Sequence, residues 1–228
     1  MEKEENRELN VFEKKVGRMQ FLKYSGASLA TVGLLVAGCK KDDDVGINLG
    51  SGDIGILNYA YALEQLEAAF YTQVVATPYS GITNEELIIL TDLKAHEIAH
   101  RDFFKAAIGS SAIPSLEVNF SSIDFTNRAS VLGTAKAFED LGVSAYNGAG
   151  KLIVTPDYLT LAGKIVSVEA RHAAAIRDLL MPNTASFAGD DVVTSSTGFD
   201  LARTPDEVLA IASTYLKSKL NANNLPTS

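Results

Sequence analysis

Two short motifs each place a carboxylate and an imidazole three residues apart, Glu97-x-x-His100 and Glu169-x-x-His172. On a helix this spacing puts both side chains on one face, about one turn apart. Carboxylate oxygens and imidazole nitrogens are common ligands of transition-metal ions. Each motif could therefore supply two ligands to one ion, although a single motif of this kind is a weak signal.

An internal repeat connects the two motifs and strengthens the signal. Aligning Glu64 with Glu139 also brings Tyr71 onto Tyr146, and each glutamate is followed by its own Glu-x-x-His, after 33 residues in the first half and 30 in the second. Such an interval is long enough for a helix, a turn and part of a second helix. The repeat therefore predicts a duplicated helical hairpin.

The hydrophobic pattern predicts four long helices and a shorter fifth one that must position these residues. The predicted helices cover 54–75, a stretch from the Thr83/Glu86 capping box to Gly109, 128–151, 156–181 and 205–220. Residues 110–127 contain Pro114 and a partial alternation of apolar residues, which favours an extended segment. A segment of that length can return the chain to the other end of the bundle, so helix three is predicted to run parallel to helix two.

Length and charge limit the classes of function. With 228 residues and 46% hydrophobic content, the chain can form one good core, and a single domain over 54–222 is predicted. The chain has 28 Asp and Glu residues against 20 Lys and Arg residues. This net charge of -8 repels a phosphate backbone, so nucleic acid is not a predicted partner. No Gly-rich phosphate-binding motif or nucleophile elbow leads into a predicted helix.

The first 39 residues are predicted to be a signal peptide. A charged stretch precedes the small and apolar run 25–38, which is too short for a permanent membrane anchor. The run ends in LVAGC at 35–39, which resembles the bacterial lipobox, in which the cysteine becomes lipidated; a free core cysteine is the alternative for Cys39. Residues 18–23 are similar to a twin-arginine export motif, but Met19 stands at the second arginine position, so the export route stays open.

The residues after Cys39 bear on where the protein resides. The run KKDDD at 40–44 resembles the segment that follows the lipidated cysteine in surface-exposed lipoproteins of some Gram-negative bacteria; a solvated spacer is the alternative. Together with the Gly-rich stretch that follows, residues 40–53 are predicted to form a flexible tether. The predicted location is the bacterial cell envelope, with a lipid anchor in the outer membrane and surface exposure as a further option.

Two antiparallel hairpins joined by a long crossover, carrying Glu, Glu-x-x-His, Glu and Glu-x-x-His in order, resemble the ferritin-like superfamily of dinuclear carboxylate proteins. The likeness covers residues 54–181, and its most characteristic string is LNYAYALEQLEAAFY at 57–71. Within that superfamily, the chain resembles bacterial ferritin-like domain proteins of the branch that also contains plant desiccation-related proteins. The resemblance implies an all-α fold, a ferritin-like four-helix bundle with a short additional C-terminal helix.

The resemblance also implies a set of six metal ligands. These are Glu64, Glu97, His100, Glu139, Glu169 and His172. They would hold two iron ions or, as the alternative, two manganese ions, with Glu97 and Glu169 as bridging carboxylates. Open positions between the ions could take O2 or peroxide, which implies an Fe(II) oxidase, a peroxidase or a catalase. The alternative is a non-enzymatic envelope or stress-protective bundle with a structural or idle site, and storage is disfavoured because a lipid tether is hard to reconcile with a closed shell.

Four further positions near this set carry two interpretations each. Tyr71 and Tyr146 lie seven residues after their glutamates, where a phenol could hydrogen-bond a ligand or pack in the core. Glu67 is an extra carboxylate at the edge of the site or a solvent-facing residue; its repeat counterpart is Gly142, which cannot be a ligand, so Glu64 is the predicted ligand. His96 points about 100 degrees away from Glu97, towards the surface or behind a ligand.

One acidic pair in the late, Gly/Ser/Thr/Asp-rich segment 183–204 is Asp190-Asp191. A solvated turn is the predicted role of this pair, rather than a second metal site, since Asp is frequent in turns.

Overall fold

Four long α-helices carry the fold in a computed structural model that describes residues 46–227. The helices are α1 (Gly52–Ala76), α2 (Asn84–Ile108), α3 (Arg128–Gly150), α4 (Pro156–Leu180) and a shorter α5 (Pro205–Ala212). Two short strands, β1 (Ile47–Asn48) and β2 (Leu220–Asn221), pair in parallel. The predicted all-α bundle is confirmed. Cys39 and the predicted signal peptide lie outside the described residues.

The starts of the helices follow from local capping. Thr83 Oγ1 accepts a 3.1 Å hydrogen bond from the Glu86 amide, and the Glu86 carboxylate accepts a 2.9 Å bond from the Thr83 amide. This capping box satisfies two backbone donors that the first turn of α2 leaves without helical partners. Pro156 begins α4, where its missing N–H costs nothing. The predicted starts of α2 and α4 are therefore confirmed.

Contacts at the helix ends fix the direction of each helix. Arg128 at the start of α3 binds Glu86 at the start of α2, with Nε 2.6 Å from Oε1, and donates a 2.7 Å bond to the Leu179 carbonyl at the end of α4. The starts of α2 and α3 therefore lie at one end of the bundle, so these two helices run parallel, as predicted. Helices α1 and α4 run in the opposite direction.

An extended crossover connects the two hairpins and lies along α1. Asn58 receives a 2.9 Å hydrogen bond from the Ile113 amide and donates a 3.0 Å bond to the Ser111 carbonyl. About two turns further along the same face of α1, Gln65 Oε1 accepts a 2.8 Å bond from the Leu116 amide. These side-chain amides satisfy backbone groups of residues that lie outside the α-helices and the paired strands. The predicted extended crossing is confirmed.

An aromatic cluster packs the crossover and the C-terminal segment onto the helices. The rings of Phe70 and Phe138 lie 5.1 Å apart edge to face, and Phe120 lies 6.1 Å from Phe70. Tyr215 contacts Phe138 at 4.7 Å, also edge to face. Edge-to-face rings contribute beyond their buried area, so this cluster joins α1, the crossover, α3 and the segment after α5 in one core.

Two predicted boundaries are wrong at the ends of the domain. Residues Ile47–Asn48 pair with Leu220–Asn221, and Leu49 is completely buried, so the predicted flexible tether 40–53 is wrong from Ile47 onwards. The fifth helix ends at Ala212 rather than at Leu220. The residues that were predicted to form its last turns instead bond to the crossover and to β1. The Lys217 amide donates a 2.8 Å bond to the Glu117 carbonyl, and the Ile47 amide donates a 2.8 Å bond to the Lys219 carbonyl.

The glycines of α3 have different surroundings. A Cβ at Gly148 would lie 1.7 Å from the carbonyl oxygen of Arg203, so only glycine lets the segment before α5 approach α3 this closely. A Cβ at Gly133 would have no neighbour within 4 Å. A close approach of another segment to α3 therefore occurs at Gly148 and not at Gly133. Within residues 46–227, no helix has the length and apolar character that crossing a membrane requires.

Candidate metal centre

The four long helices bring all six predicted ligand residues together inside the bundle. Helices α1 and α3 each contribute one glutamate, and α2 and α4 each contribute one Glu-x-x-His motif. The four glutamates are completely buried: Glu64, Glu97, Glu139 and Glu169. Four acidic side chains seldom enter a core unless a counter-charge accompanies them. The cluster is therefore a candidate functional site.

The six residues form two overlapping groups, each of which could hold a metal ion. One group consists of Glu64, Glu97, His100 and Glu169, and the other of Glu97, Glu139, Glu169 and His172. Within each group, the ligand atoms all lie within 4.8 Å of one another. Glu97 and Glu169 belong to both groups. Two carboxylates that each offer two oxygens can be shared by neighbouring ions.

Each histidine faces a carboxylate of the other hairpin. His100 Nδ1 lies 2.9 Å from Glu169 Oε1, and His172 Nδ1 lies 2.9 Å from Glu97 Oε1. The same nitrogen of His100 lies 3.4 Å from Glu64, and that of His172 lies 3.5 Å from Glu139. Both imidazoles thus point Nδ1 into the centre of the cluster, so Nδ1 is the atom available to an ion.

Many polar atoms of the cluster have no hydrogen-bond partner although they are buried. They are Glu64 Oε2, Glu139 Oε2, both carboxylate oxygens of Glu97 and of Glu169, and Nδ1 of His100 and of His172. Some nitrogen–oxygen pairs within the cluster are as close as 2.9 Å, but they do not have the geometry of hydrogen bonds. Buried polar atoms are almost always partnered. A mixed set of oxygen and nitrogen donors without partners fits a divalent metal ion.

Two tyrosines bind the outer oxygens of two cluster glutamates. Tyr71 on α1 donates a 2.5 Å hydrogen bond to Glu139 Oε1 on α3, and Tyr146 on α3 donates one to Glu64 Oε1 on α1. Both phenols are buried. Both interpretations of these tyrosines are therefore correct, because the phenols hydrogen-bond predicted ligands and the rings belong to the hydrophobic core. Each bond leaves Oε2 of its glutamate facing the centre.

Burial and mutual repulsion shift the ionisation of the cluster. Burial raises the pKa of Glu64 well above its usual range, with a contribution from the Glu169 charge, and burial raises the pKa of Glu139 to about 8. Burial also opposes the charge on His100 and His172, but the surrounding carboxylates outweigh it and raise the pKa of both imidazoles to about 12. Without metal ions, protons on these residues must therefore supply the positive charge.

Comparison with known families decides what kind of bundle surrounds this cluster. The family model of the ferritin-like domain matches residues 52–182. The chain belongs to the ferritin-like family. The matched range contains all four long helices and all six cluster residues. No curated protein matches the chain closely enough to count as a relative.

Glu67 lies inside this ferritin-like bundle, beside the cluster. Only 4% of the residue is exposed, so the solvent-facing interpretation is wrong. A Cβ on Gly142 would lie 3.2 Å from Glu67 Oε1 and 3.9 Å from Glu169 Oε2. The repeat position without a side chain therefore makes room for the Glu67 carboxyl. Burial, followed by the charges of Glu97 and Glu169, raises the pKa of Glu67 well above its usual range.

His96 and the acidic pair have separate surroundings in the ferritin-like bundle. His96 is exposed, yet its Nδ1 lies 2.9 Å from His172 Nε2, so it stands behind a cluster residue. Asp191 belongs to neither group of the cluster and instead binds Arg177, with oxygen–nitrogen distances of 2.8 and 3.0 Å. Helical spacing allowed a position of His96 behind a ligand but did not identify His172 as its partner, because that spacing describes one helix and the contact joins α2 to α4.

Proposed function

We propose that this ferritin-like protein binds two metal ions and performs redox chemistry with O2 or peroxide in the bacterial cell envelope. Iron is the proposed metal and manganese the alternative. The observation that carries the proposal is that all six cluster residues have buried oxygen or nitrogen atoms without hydrogen-bond partners, and that these atoms lie close together. Leaving so many buried polar atoms without partners is costly, and bound ions remove that cost.

Charge and geometry support two ions rather than one. Four ionised glutamates carry four negative charges, which two divalent ions balance. Glu97 and Glu169 each belong to both groups, so they are proposed to bridge the ions. Glu64 with His100 would complete one position, and Glu139 with His172 the other.

The residues of the chain would orient the site and keep water out of it. When bound, two redox-active ions supply one electron each, so O2 or peroxide can accept two electrons without release of a radical. Tyr71 and Tyr146 hold the outer oxygens of Glu139 and Glu64, which fixes the direction of the inner oxygens. Because the four glutamates are fully buried, the helices exclude bulk water and the charges interact strongly.

We also propose that Cys39 carries a lipid that anchors the protein in the outer membrane. The support is the LVAGC string at 35–39 and the KKDDD run that follows it. The test is the Cys39→Ala variant in the native host. The variant is expected in the soluble fraction, and unchanged association with detergent-extracted membranes would overturn the anchor.

Metal analysis of the protein purified from its native host tests the proposed function. Two iron ions per chain support an oxidase or peroxidase, which Fe(II) oxidation and peroxide consumption then distinguish. Two manganese ions support a catalase. A protein without either metal that also fails to bind Fe(II) or Mn(II) anaerobically would overturn the proposal in favour of a non-enzymatic envelope or stress-protective bundle. The Glu97→Ala variant, which removes a shared carboxylate, is the matched negative control.

A further inference from the structure

His96 covers one cluster histidine from outside the site. It lies on α2 directly before Glu97, but its ring meets that of His172 on α4 edge to edge, with ring centroids 5.2 Å apart and planes within 6° of parallel. His96 is exposed, whereas His172 is only 3% exposed. Its Nδ1 lies 2.9 Å from His172 Nε2, the nitrogen that points away from the carboxylates. The two rings therefore form a hydrogen-bonded pair between α2 and α4.

The positions of the ring nitrogens determine the direction of this hydrogen bond. His172 Nδ1 faces Glu97 at 2.9 Å and Glu139 at 3.5 Å, so Nδ1 is the atom that can bind an ion. A neutral imidazole carries one N–H, and when Nδ1 offers its lone pair to an ion, the hydrogen is on Nε2. His172 Nε2 then donates to His96 Nδ1. This bond fixes both the tautomer and the ring orientation of His172.

The internal repeat has no second residue of this kind. Because Glu97 corresponds to Glu169, the counterpart of His96 is Val168, whose side chain cannot accept a hydrogen bond. The chain has three histidines, and the third one is therefore used on the His172 side alone. Each half of the repeat contributes two glutamates and one histidine to the cluster, but the residue before the Glu-x-x-His motif is His96 in one half and Val168 in the other.

We propose that His96 is a positioning residue for His172 and makes the ion position of Glu97, Glu139, Glu169 and His172 the tighter of the two. The inference rests on the proposed function, because it concerns the ions that the cluster would bind. Residues that hydrogen-bond a metal-ligating histidine orient the ring and raise its basicity, and their loss weakens metal binding about 10- to 100-fold. His96 supplies that hydrogen bond through an imidazole where carboxylates or backbone carbonyls are more usual.

A stepwise titration of the metal-free protein with Co(II) tests the proposal. The visible absorption of Co(II) reports the ligands of each ion, and calorimetry gives the two affinities. His96→Val gives α2 the residue type that α4 has at the repeat position, and it is expected to weaken one ion about 10- to 100-fold while the other ion keeps its affinity. Since His96 is exposed, the melting temperature of the metal-free variant is expected to stay near that of the unmodified protein.

Two further variants separate the hydrogen bond from ring packing. His96→Asn places an amide oxygen close to the position of the imidazole Nδ1, so it is expected to restore the affinity that His96→Val loses. Val168→Ala is the matched control at the repeat position and is expected to leave both affinities unchanged.

The outcomes distinguish this inference from the proposed function. Equal weakening of both ions in His96→Val, unchanged affinities in that variant, or failure of His96→Asn to restore the affinity would each overturn the role of His96. Those results would leave the two-ion site intact. If the unmodified protein binds no Co(II), Fe(II) or Mn(II), the proposed function and this inference both fail.

Discussion

Tyr71 donates its phenolic hydrogen to Glu139, which lies in the other half of the internal repeat, over 2.5 Å. Tyr146 does the same for Glu64 in the opposite direction. Each glutamate is therefore oriented by the hairpin to which it does not belong. Because a carboxylate with one fixed oxygen loses rotational freedom, the pair of bonds pre-organises both inner oxygens. The two halves of the repeat thus depend on each other for the geometry of the cluster.

Removing one phenol tests this dependence. Tyr71→Phe leaves the buried Glu139 Oε1 without its donor, so we expect the free energy of unfolding of the metal-free protein to fall by about 1–3 kcal/mol. We also expect the ion position that contains Glu139 to weaken more than the one that contains Glu64. Urea denaturation and a stepwise metal titration measure the two effects. The matched variant Tyr146→Phe should instead weaken mainly the ion position that contains Glu64, and identical metal titrations for both variants would contradict the crossed arrangement.

The gathering of the six residues could be predicted from the sequence because it depends on local patterns. Glu64 and the Glu97-x-x-His100 motif each have a counterpart in the second half of the chain, and the Glu and His of each motif lie at helical spacing. A short connection makes neighbouring helices antiparallel. The hydrogen-bond partner of each tyrosine across the bundle could not be predicted in this way. The repeat places Tyr71 on the same helix face as Glu64, yet the phenol reaches Glu139, because the packing of α1 against α3 decides the contact.

Other features were not predictable because they are non-local. Ile47 pairs with Leu220, although the two residues lie near opposite ends of the domain sequence. No short-range pattern indicates a parallel strand pair of two residues. The same pairing shortens the fifth helix relative to its apolar spacing. Glu67 is buried because Gly142 on another helix leaves room for its carboxyl. The repeat alignment showed only that Gly142, the counterpart of Glu67, cannot be a ligand.

Arg177 is expected to be the most sensitive charged residue outside the cluster. It is 2% exposed and binds Asp140 through two nitrogens at 2.7 and 2.8 Å while also binding Asp191. Arg177→Met leaves Asp140 partly buried without its partner, so we expect the free energy of unfolding to fall by about 3 kcal/mol, measured by chemical denaturation. A change below about 1 kcal/mol would contradict this role.

Asp191 provides the control for Arg177 and a pH dependence. Its side chain is 58% exposed, so Asp191→Asn is expected to cost about 1 kcal/mol or less and to leave metal binding unchanged.

Hydrogen bonds to Asp191 from Arg177, and then from Lys136, lower the pKa of its carboxyl below the ordinary 3.8. Its contribution to stability is therefore complete above about pH 4 and is lost at lower pH as the carboxylate is protonated. Acid denaturation of Asp191→Asn should lack this component.

Metal binding is expected to release protons. In the metal-free protein, the pKa of His100 and of His172 is raised to about 12, so both rings are protonated at neutral pH. An ion needs a bare Nδ1, so loading should release about two protons from the imidazoles, and more from Glu64 and Glu139, because burial raises the pKa of Glu64 well above its usual range and that of Glu139 to about 8. Protons compete with the ions, and affinity should therefore fall as the pH is lowered. Calorimetric titration in buffers of different ionisation enthalpy measures the number, and heats independent of the buffer would contradict it.

The two neighbouring carboxylates of α1 are expected to have different roles in metal binding. Glu64 belongs to one of the two groups that could hold an ion, whereas Glu67 belongs to neither. Glu64→Ala is therefore expected to abolish binding of at least one of the two ions. Glu67→Gln, which keeps the shape of the side chain, is expected to retain both ions and to change at most the rate of loading.

The neighbour of Glu67 supplies a second way to disturb it without touching a predicted ligand. In Gly142→Ala, the new methyl group would lie 3.2 Å from Glu67 Oε1, so the Glu67 carboxyl must shift by a few tenths of an ångström. We expect this variant to resemble Glu67→Gln, with two ions bound and a changed loading rate, because Glu64 and Glu169 keep their positions. Metal stoichiometry and stopped-flow loading of the three purified variants measure both quantities. Loss of an ion from Glu67→Gln together with full binding by Glu64→Ala would reverse the assignment of the α1 ligand.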